Sequence, residues 1–339
     1  MHTVWRIMLA FFAAMMVGAC ATNSAADDDA IEPVAATTSE SMSSTSTTTG
    51  GAADDATTTR PSPPIDLCPY RDMGVWVDVY DSVAAFAGPS PPVTPADIAT
   101  MAREGVRTLY LQVAKDDPRA PGVLTDAALA AEFLRTAHAA GVRVVAWYLP
   151  THANPALDRE RALALVHFEA EGERFDGVAL DIEGVEAVVD VAERNRRLVA
   201  LVEELDRAAG TMPVGAIVYP PVVFDVLNGE LWPDFPWAEI APHFDVWLPM
   251  SYWTHREGDS PYRDAYRYTT ENVQRLRAHL GDPAAVVHVI GGIGDEATEA
   301  DYSAFRRAAA DEHTIGYSVY DFDTLSPAAW PLLRGQSTC

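Results

Sequence analysis

Short apolar segments alternate with amphipathic segments from about residue 70 to the end of the chain, and this alternation limits the fold more than any other feature. The apolar segments are rich in Val, Ile, Tyr and Trp, as strands are. They lie at 74–80, 106–113, 142–149, 175–183, 213–219, 244–252, 285–292 and 314–322. Their starts recur about every 30–40 residues, the length of a strand with its following helix.

The segments between these strands carry the boundaries of helices. Thr94 followed by Pro95 indicates a helix cap with proline at the first helical position. The segment that begins at Thr125 ends at Gly141, a typical helix stop. The longest helix is predicted within residues 188–210.

Eight strands with eight following helices favour a closed (β/α)8 barrel, also called a TIM barrel. The alternative is an open doubly wound sheet, which typically has a glycine-rich phosphate loop after an early strand. The turn after the first strand, "DSVAAFAGPSPP" (81–92), has no such loop. "GGIG" (291–294) lacks the rest of a nucleotide-binding fingerprint. We therefore predict the barrel.

Two carboxylates end the fourth predicted strand. One face of this strand holds Val178, Leu180 and Ile182, and the other holds Gly177, Ala179, Asp181 and Glu183. We expect the apolar face to meet the helices and the acids to stand at the barrel mouth, where barrel enzymes keep catalytic residues. Carboxylates about 6–7 Å apart along a strand repel, so one holds a proton near neutral pH, as a general acid for glycoside cleavage must. The alternative is a solvated pair that caps a helix or binds an arginine.

The stretch "FDGVALDIEG" (175–184) resembles the fourth-strand signature of glycoside hydrolase family 18, the chitinase-like barrels, written Asp-Gly-x-Asp-x-Asp-x-Glu. The matching residues are Asp176, Gly177, Asp181 and Glu183, whereas Ala179 replaces the middle aspartate. The resemblance implies that Glu183 protonates the leaving oxygen and that Asp181 orients an N-acetyl group of the substrate. A substrate without that group would need a second carboxylate, for which Asp78, Asp321 and Asp323 are the candidates.

Two other stretches resemble motifs of the same family. "LPMSYW" (248–253) resembles the sixth-strand Met-x-Tyr motif, which implies that Met250 and Tyr252 lie in the active site. Tyr252 would then stabilise the oxocarbenium-like transition state. "GYSVYDFDT" (316–324) resembles an eighth-strand pattern in which Tyr320 takes the place of an aromatic platform. The third strand ends in "AWYLP" and lacks the Ser-x-Gly-Gly pattern of many chitinases.

Aromatic residues near the predicted strand ends suit sugar binding, because flat rings with polar tips match the faces of sugar rings. The alternative for each is packing in the core or at the rim. Together with Met250 and the acids at strand ends, they form the predicted substrate-binding set: Trp76, Asp78, Trp147, Tyr148, Tyr219, Trp253, Tyr320 and Asp321.

The first 66 residues predict export and anchoring. Arg6 precedes an apolar run of about a dozen residues, which is too short to span a bilayer comfortably and fits the core of a signal peptide. "VGAC" (17–20) resembles a bacterial lipobox, which implies removal of residues 1–19 and a lipid on Cys20. The alternatives are an ordinary secretory signal or an anchor helix. Residues 20–66, mostly Ala, Asp, Ser, Thr, Gly and Pro, predict a disordered tether.

The barrel is assigned to residues 67–339 and holds Cys68 and Cys339 near its two ends. Exported proteins meet an oxidising environment, and the ends of a domain usually lie close together. These facts predict a disulfide between them, with two free thiols as the alternative.

Charge and missing motifs exclude several classes of protein. A net charge of −25 argues against a nucleic-acid partner and against electrostatic docking on anionic lipid. The sequence has no His-Glu-x-x-His motif for a metal and no Gly-x-Ser-x-Gly nucleophile motif. His288, in the middle of a strand, is expected to be a hydrogen-bonded core residue. We expect no metal, no cofactor and a monomer.

The sequence therefore predicts an exported, lipid-anchored barrel of glycoside-hydrolase type in the bacterial cell envelope. Its substrate would be a cell-envelope or environmental polysaccharide, cleaved by general acid/base catalysis from Glu183 with Asp181 and Tyr252. The main alternative is a non-catalytic carbohydrate-binding lipoprotein on the same barrel. A surface scaffold that recognises another protein is a third possibility.

Overall fold

The structure, a computed structural model, describes residues 64–335 and 338–339. Eight parallel strands close into a barrel in chain order. They are β1 Asp72–Val77, β2 Thr108–Ala114, β3 Arg143–Tyr148, β4 Gly177–Ile182, β5 Val214–Val218, β6 Val246–Ser251, β7 His288–Gly292 and β8 Gly316–Tyr320. Pairing of β8 with β1 completes the ring. The predicted (β/α)8 barrel is confirmed.

Helices connect the strands on the outside of the barrel. The described α-helices are α1 Val79–Ser82, α2 Ala84–Ala87, α3 Ile98–Glu104, α4 Ala127–Ala139, α5 Pro155–His167, α6 Val191–Ala209, α7 Trp237–Ile240, α8 Ala265–Leu280, α9 Glu299–Asp311 and α10 Trp330–Leu333. The longest is α6, which lies within the predicted range. A 3-10 turn with the predicted Thr94–Pro95 start leads into α3.

The connection between β5 and β6 departs from the predicted pattern of one full helix after each strand. It holds a short π-helix, Val223–Leu227, and the four-residue α7. Prolines at 220, 221, 233, 236 and 242 interrupt this segment, and each lacks the backbone N–H that a continuous helix needs. The result is an irregular segment that follows β5 at the barrel mouth.

The apolar core has two layers, one between strands and helices and one inside the barrel. β4 shows the division, since Val178, Leu180 and Ile182 belong to the outer layer and Ala179 to the inner layer. Alternation of side chains along the strand produces this separation. The predicted direction of each face of β4 is therefore confirmed.

A buried polar network fills the lower part of the barrel. Tyr70, just before β1, donates its hydroxyl proton to the carbonyl oxygen of Val178. His288 Nδ1 lies 2.8 Å from the carbonyl oxygen of Tyr70, and its Nε2 lies 2.9 Å from Ser318 Oγ. Burial lowers the pKa of His288 to about 4, so the ring is neutral at pH 7. The predicted core role of His288 is confirmed.

A disulfide joins Cys68 to Cys339, whose Cα atoms lie 5.9 Å apart. It connects the segment that leads into β1 with the last residue of the chain. The two ends of the described barrel are thereby held together at its amino-terminal side.

Residues 1–63 lie outside the described part of the chain, and so do the predicted signal peptide, Cys20 and nearly all of the tether. Among the described residues, no helix combines the length and apolar character required to cross a membrane.

Candidate active site

Asp181 faces the barrel interior near the end of β4 and is 6 % exposed. Its Oδ1 has no hydrogen-bond partner among the described residues. Burial raises the pKa of Asp181 well above its usual value, and the neighbouring charge of Glu183 raises it further. These surroundings favour the protonated form of Asp181, which can donate a hydrogen bond.

Glu183 stands one step beyond β4, on the same face of the chain as Asp181, and is half-buried. Burial raises the pKa of Glu183 to about 7, while the charge of Lys115 opposes this shift. A carboxyl group that exchanges its proton near pH 7 is suited to general acid and base work. The hydroxyl of Tyr219 donates to the backbone carbonyl of Glu183 at 3.1 Å and fixes the strand end.

The loop that follows Glu183 is held by Arg194 of α6. Its Nη1 donates to the carbonyl oxygens of Val185 and Val188, each at 3.0 Å. The guanidinium lies 4.3 Å from the ring centroid of Trp232, a cation–π contact. These contacts fix the path of the backbone that follows the acid pair.

A second acidic group forms where β1 and β8 end. Carboxylate oxygens of Asp78, Asp81 and Asp321 all lie within 4.8 Å of one another. Asp78 Oδ1 accepts from the backbone N–H of Tyr80 at 2.6 Å and of Asp81 at 3.1 Å. Its Oδ2 accepts from the hydroxyl of Tyr320 at 2.6 Å. Three donors favour the ionised form of Asp78, against the burial that raises its pKa.

The other two acids of this group have raised pKa values. Burial, followed by the charge of Asp78, raises the pKa of Asp81 to about 10. The same two causes raise the pKa of Asp321 to about 7. Within residues 64–335 and 338–339, no other set of three or more such side chains brings its ligand atoms together. Three carboxylates are suitable ligands for a hard cation, but the carboxylate oxygens of Asp78 already accept hydrogen bonds from protein groups.

Tyr252 lies between the two acidic groups. Its ring centroid is 5.9 Å from that of Tyr320, and its pKa is raised by burial and then by Asp181 and Glu183. The hydroxyl therefore stays protonated and can donate toward negative charge that develops in the mouth. Met250 and Trp147 lie in the inner apolar layer beside it. Trp147 Nε1 has no partner among the described residues.

Two predicted sugar-binding aromatics, Tyr148 and Trp253, lie in the outer layer and not at the mouth, so the prediction is wrong for them, whereas the sugar-binding role of Trp76 stays a prediction. Tyr148 belongs to the outer layer, where its hydroxyl donates to Asp158 Oδ1 of α5 at 2.5 Å. Trp253 is fully buried in the outer layer, 5.2 Å from the ring of Phe305. Trp76 faces inward but is stacked on Tyr110, one layer below Asp78, as part of the interior packing.

Two residues of the mouth escaped the sequence analysis. Asp81 lies three positions after Asp78, a spacing typical of the capping box that the two residues form at α1. Lys115 directly follows β2, and its charge lowers the pKa of both Asp181 and Glu183. The signal for Lys115 was present, because it is the only lysine of the chain and stands at a strand end.

The mouth is narrow in this structure. Asp78, Asp181, Tyr219, Met250, Tyr320 and Asp321 are all buried. A groove of about 200 Å³ lies at the opposite, amino-terminal end of the barrel and is lined in part by Asp72, Arg107 and Tyr317. It contains none of the acids described above, and we place the candidate site at the mouth because the perturbed carboxyl groups converge there.

Comparison with solved structures finds barrels of several glycoside hydrolases. The C-terminal domain of a putative chitinase from Desulfitobacterium hafniense DCB-2 matches at a TM-score of 0.56 and 12% identity, over 78% of this chain and 98% of that chain. An endo-1,4-beta-mannanase from Rhizomucor miehei matches at 0.57 and 11%, over 76% and 88%. A GH18 chitinase from Pseudoalteromonas aurantia matches at 0.52 and 11%, over 76% and 97%.

No protein-family model matches this sequence, and no curated protein matches it. At 11–12% identity, the structural likeness shows a shared barrel fold. A barrel of this kind supports many chemistries, so the function has to be argued from the residues at the mouth.

Proposed function

We propose that this protein cleaves glycosidic bonds, with Glu183 as the general acid. The observation that carries the proposal is the pair Asp181 and Glu183, two perturbed carboxyl groups at the inward-facing end of β4. Glycoside cleavage needs a carboxylic acid that is protonated near neutral pH and placed beside a second polar group. The structural neighbours that act on sugars support the proposal through their fold alone.

Each residue of the mouth has a role in this proposal. Glu183 gives its proton to the leaving oxygen and takes one back from water in the second step. Asp181, protonated and unpartnered at Oδ1, orients the substrate by a hydrogen bond. Tyr252 donates toward the charge that develops at the reacting sugar, in a mouth where buried groups interact strongly.

The source of the second catalytic group depends on the substrate. An N-acetyl group could supply it, oriented by Asp181 as in the chitinase-like family that the sequence resembles. For a sugar without that group, Asp321 is the preferred carboxylate of the three candidates. Asp78 is held by three donors, whereas Asp321 accepts from the backbone N–H of Thr324 at 3.0 Å.

A non-catalytic carbohydrate-binding role on the same barrel is the second candidate. One observation favours it. Ala179 stands where the resembled signature has a proton-sharing aspartate, and it is fully buried beside Trp147.

The proposed setting is the outer side of a bacterial membrane, with a lipid on Cys20 and residues 21–66 as a tether. The support is the order of charge, apolar run, small residues and cysteine at the start of the chain. Changing Cys20 to Ser should release the protein from the membrane fraction after cell disruption. A variant that stays membrane-bound would show that another segment anchors the chain.

Glycan-array binding combined with hydrolysis tests the function. Wild type and Glu183→Gln are applied to the array, and each bound glycan is then incubated with both proteins. Binding by both proteins with cleavage by wild type alone supports the hydrolase. Binding by both without cleavage identifies a carbohydrate-binding barrel. Absence of binding contradicts both candidates and favours a protein partner.

A further inference from the structure

Arg194 of α6 is a buried arginine that has no acidic partner in the described part of the chain. Only two described arginines are almost fully buried, Arg161 at 2 % exposure and Arg194 at 3 %. Arg161 pairs with Asp116 at 2.9 Å. Glu186, the acid in the loop that Arg194 holds, is exposed and forms no ion pair with it. Because a buried charge is costly unless an opposite charge balances it, an anion would stabilise Arg194.

The guanidinium of Arg194 uses one of its edges and leaves the other unused. Its Nη1 donates to the carbonyl oxygens of Val185 and Val188, each at 3.0 Å. Its Nε is buried, and neither Nε nor Nη2 has a hydrogen-bond partner among the described residues. Arg119 turns the same edge to a carboxylate, since its Nε and Nη2 donate to the two oxygens of Asp117 at 2.9 and 2.7 Å. Arg194 therefore offers a pair of donors that matches a carboxylate.

A second buried group, His152, packs against the same aromatic ring as Arg194. The ring centroid of Trp232 lies 4.3 Å from Arg194 Cζ and 6.1 Å from the centroid of the His152 ring. His152 is 1 % exposed, and its Nε2 has no partner within the part of the chain that the structure describes. Trp232 is fixed in turn, because its Nε1 donates to Asn195 Oδ1 at 2.7 Å. One ring thus holds an arginine and a histidine that each have an unused nitrogen.

The charges around His152 are positive. Arg197, one turn further along α6, donates from Nη1 to the backbone carbonyl of His152 at 2.7 Å. Burial, followed by the charges of Arg194 and Arg197, lowers the pKa of His152 to about 4, so the ring is neutral at pH 7 and carries one N–H donor. Arg197 is itself paired with Glu193 at 2.6 Å. The positive charge that lacks an acid here is therefore that of Arg194.

These groups adjoin the barrel mouth. Val185, whose carbonyl accepts from the guanidinium, is two residues after Glu183. A Cβ at Gly184 would collide with the carbonyl oxygen of Pro150, so the loop that leads to His152 contacts the backbone directly after Glu183. A ligand bound between the arginine and the histidine would therefore lie beside the proposed general acid.

We propose that Arg194 and His152 form a binding site for a carboxylate group, with Nε and Nη2 of Arg194 as its paired donors. An acidic sugar of the substrate or a free carboxylate ion can supply the group, since both present the same two oxygens. The first source rests on the proposed function, whereas the second does not. In a chain of net charge −25, an anionic ligand depends on a specific cation of this kind.

The Nε–H of Arg194 reports binding directly. In ¹⁵N-labelled protein, its NMR signal is identified by its loss in Arg194→Lys. We expect sodium acetate to shift this signal to a plateau, because a bound carboxylate accepts its proton, and sodium chloride at the same ionic strength to leave it in place. A signal that acetate does not move, or that chloride moves equally, would overturn the proposal.

A second variant tests the site while the loop contacts of Arg194 stay in place. His152→Leu removes only the histidine donor and should weaken acetate binding about tenfold, the effect of one hydrogen bond to a charged group. Arg196→Lys is the matched control, because it removes an exposed arginine of the same helix that pairs with Glu193 at 2.7 Å. It should bind acetate like wild type. Equal acetate affinities of His152→Leu and Arg196→Lys would overturn the pairing of Arg194 with His152.

A glycan array separates the two sources of the carboxylate. Each acidic glycan is printed beside the same glycan with its carboxylates reduced to alcohols. If the substrate supplies the group, wild type and Arg196→Lys should bind the acidic member about tenfold more tightly, and Arg194→Lys should bind both members alike. Equal binding of both members by wild type, together with a saturable acetate shift, would assign the site to a free carboxylate ion.

The failure of this inference and the failure of the proposed function give different results. An acetate shift without cleavage of any glycan would support the carboxylate site and contradict the hydrolase. Cleavage without an acetate shift, and without preference for the acidic members, would support the hydrolase and overturn the site.

Discussion

At the scale of single residues, the two acids of β4 differ because their surroundings differ. Asp181 lies within β4 and Glu183 one residue beyond it, and burial raises the pKa of both. The charge of Glu183 raises the pKa of Asp181 further, whereas the charge of Lys115 opposes the shift at both acids. Paired carboxyls pushed apart in this way commonly take the roles of acid and orienting group. The assignment of Glu183 as the acid follows from its position as well as from its proton affinity.

The pH dependence of hydrolysis should follow Glu183. The general acid must be protonated before reaction, and its pKa is raised to about 7, so kcat/KM should fall as pH rises through about 7. The measurement is a pH–rate profile between pH 5 and 9 on the glycan identified by array. A profile that rises through this range would mean that Glu183 acts only in its ionised form.

Ala179 offers a test of the departure from the family signature. It is fully buried and pairs in register with Trp147, two positions before Asp181. Ala179→Asp would bury a third carboxyl group with no donor placed for it, which costs several kcal/mol. We expect about 3 kcal/mol lower stability at pH 8 in urea unfolding, a smaller loss at pH 5 where the new acid is protonated, and no gain in hydrolysis. Ala179→Ser is the control of similar size.

An increase in hydrolysis by Ala179→Asp without loss of stability would contradict this view of the site. It would mean that the mouth has kept space and donors for the missing aspartate, and that the buried position of Trp147 does not oppose it.

The alternation of side chains along a strand explains which site residues could be identified from the sequence. Val178 to Glu183 alternate strictly, and the structure follows that alternation. Trp147 and Tyr148 are also neighbours on one strand, so only one of them can face the interior. Tyr252 and Trp253 lie beyond the end of β6, where this alternation no longer applies. Asp81 and Asp321 come together only because the strands close into a barrel. A local sequence pattern does not predict that closure.

At the scale of elements, the barrel depends on small residues where side chains meet inside it. Gly215 of β5 faces Tyr70, the aromatic residue that fills the lower end. A Cβ at Gly215 would lie 2.8 Å from both Tyr70 Cε1 and Leu248 Cδ1. Such contacts force buried groups to move, and overpacking of this kind costs about 1–3 kcal/mol.

Gly215→Ala should therefore lower the free energy of unfolding by about 2 kcal/mol in urea. Gly258→Ala is the control, because a Cβ there would meet no atom within 4 Å. The control should change stability by less than about 0.5 kcal/mol. Equal stabilities of the two variants would show that Tyr70 can shift without cost.

Element order was predictable because each βα unit repeats the same two periodicities, and the eight strands appear where the apolar segments lie. The structure of the connection after β5 was not predictable from this repeat, because its apolar content suggests a helix while its five prolines prevent a continuous one. At this connection, the missing backbone N–H groups of the prolines determined the structure more than the repeating strand–helix pattern did.

At the scale of the whole molecule, one covalent link closes the described barrel. The Cys68–Cys339 disulfide spans a sequence separation of 271 residues, nearly the entire fold. A link between distant residues stabilises chiefly by restricting the unfolded chain. It also holds Tyr70, two residues after Cys68, at the lower end of the barrel.

Replacing both cysteines with serine should lower the free energy of unfolding by about 2–5 kcal/mol. Urea unfolding of the double variant is compared with that of wild type, and wild type is also measured with and without a reductant. Reduced wild type should match the double variant. An unchanged midpoint on reduction would show that closing the ends contributes nothing to stability.

The central claim is that Glu183 donates a proton to the leaving group, and leaving-group dependence tests it most directly. Wild type and Glu183→Gln are compared on the array-identified glycan and on a 2,4-dinitrophenyl glycoside of the same sugar, whose leaving group needs no proton. We predict a loss of about 10²–10⁴-fold in kcat/KM on the glycan and near wild-type kcat/KM on the dinitrophenyl glycoside, because kcat/KM reports the first step, in which that leaving group needs no proton. Equal losses on both substrates, or no loss on either, would contradict the account.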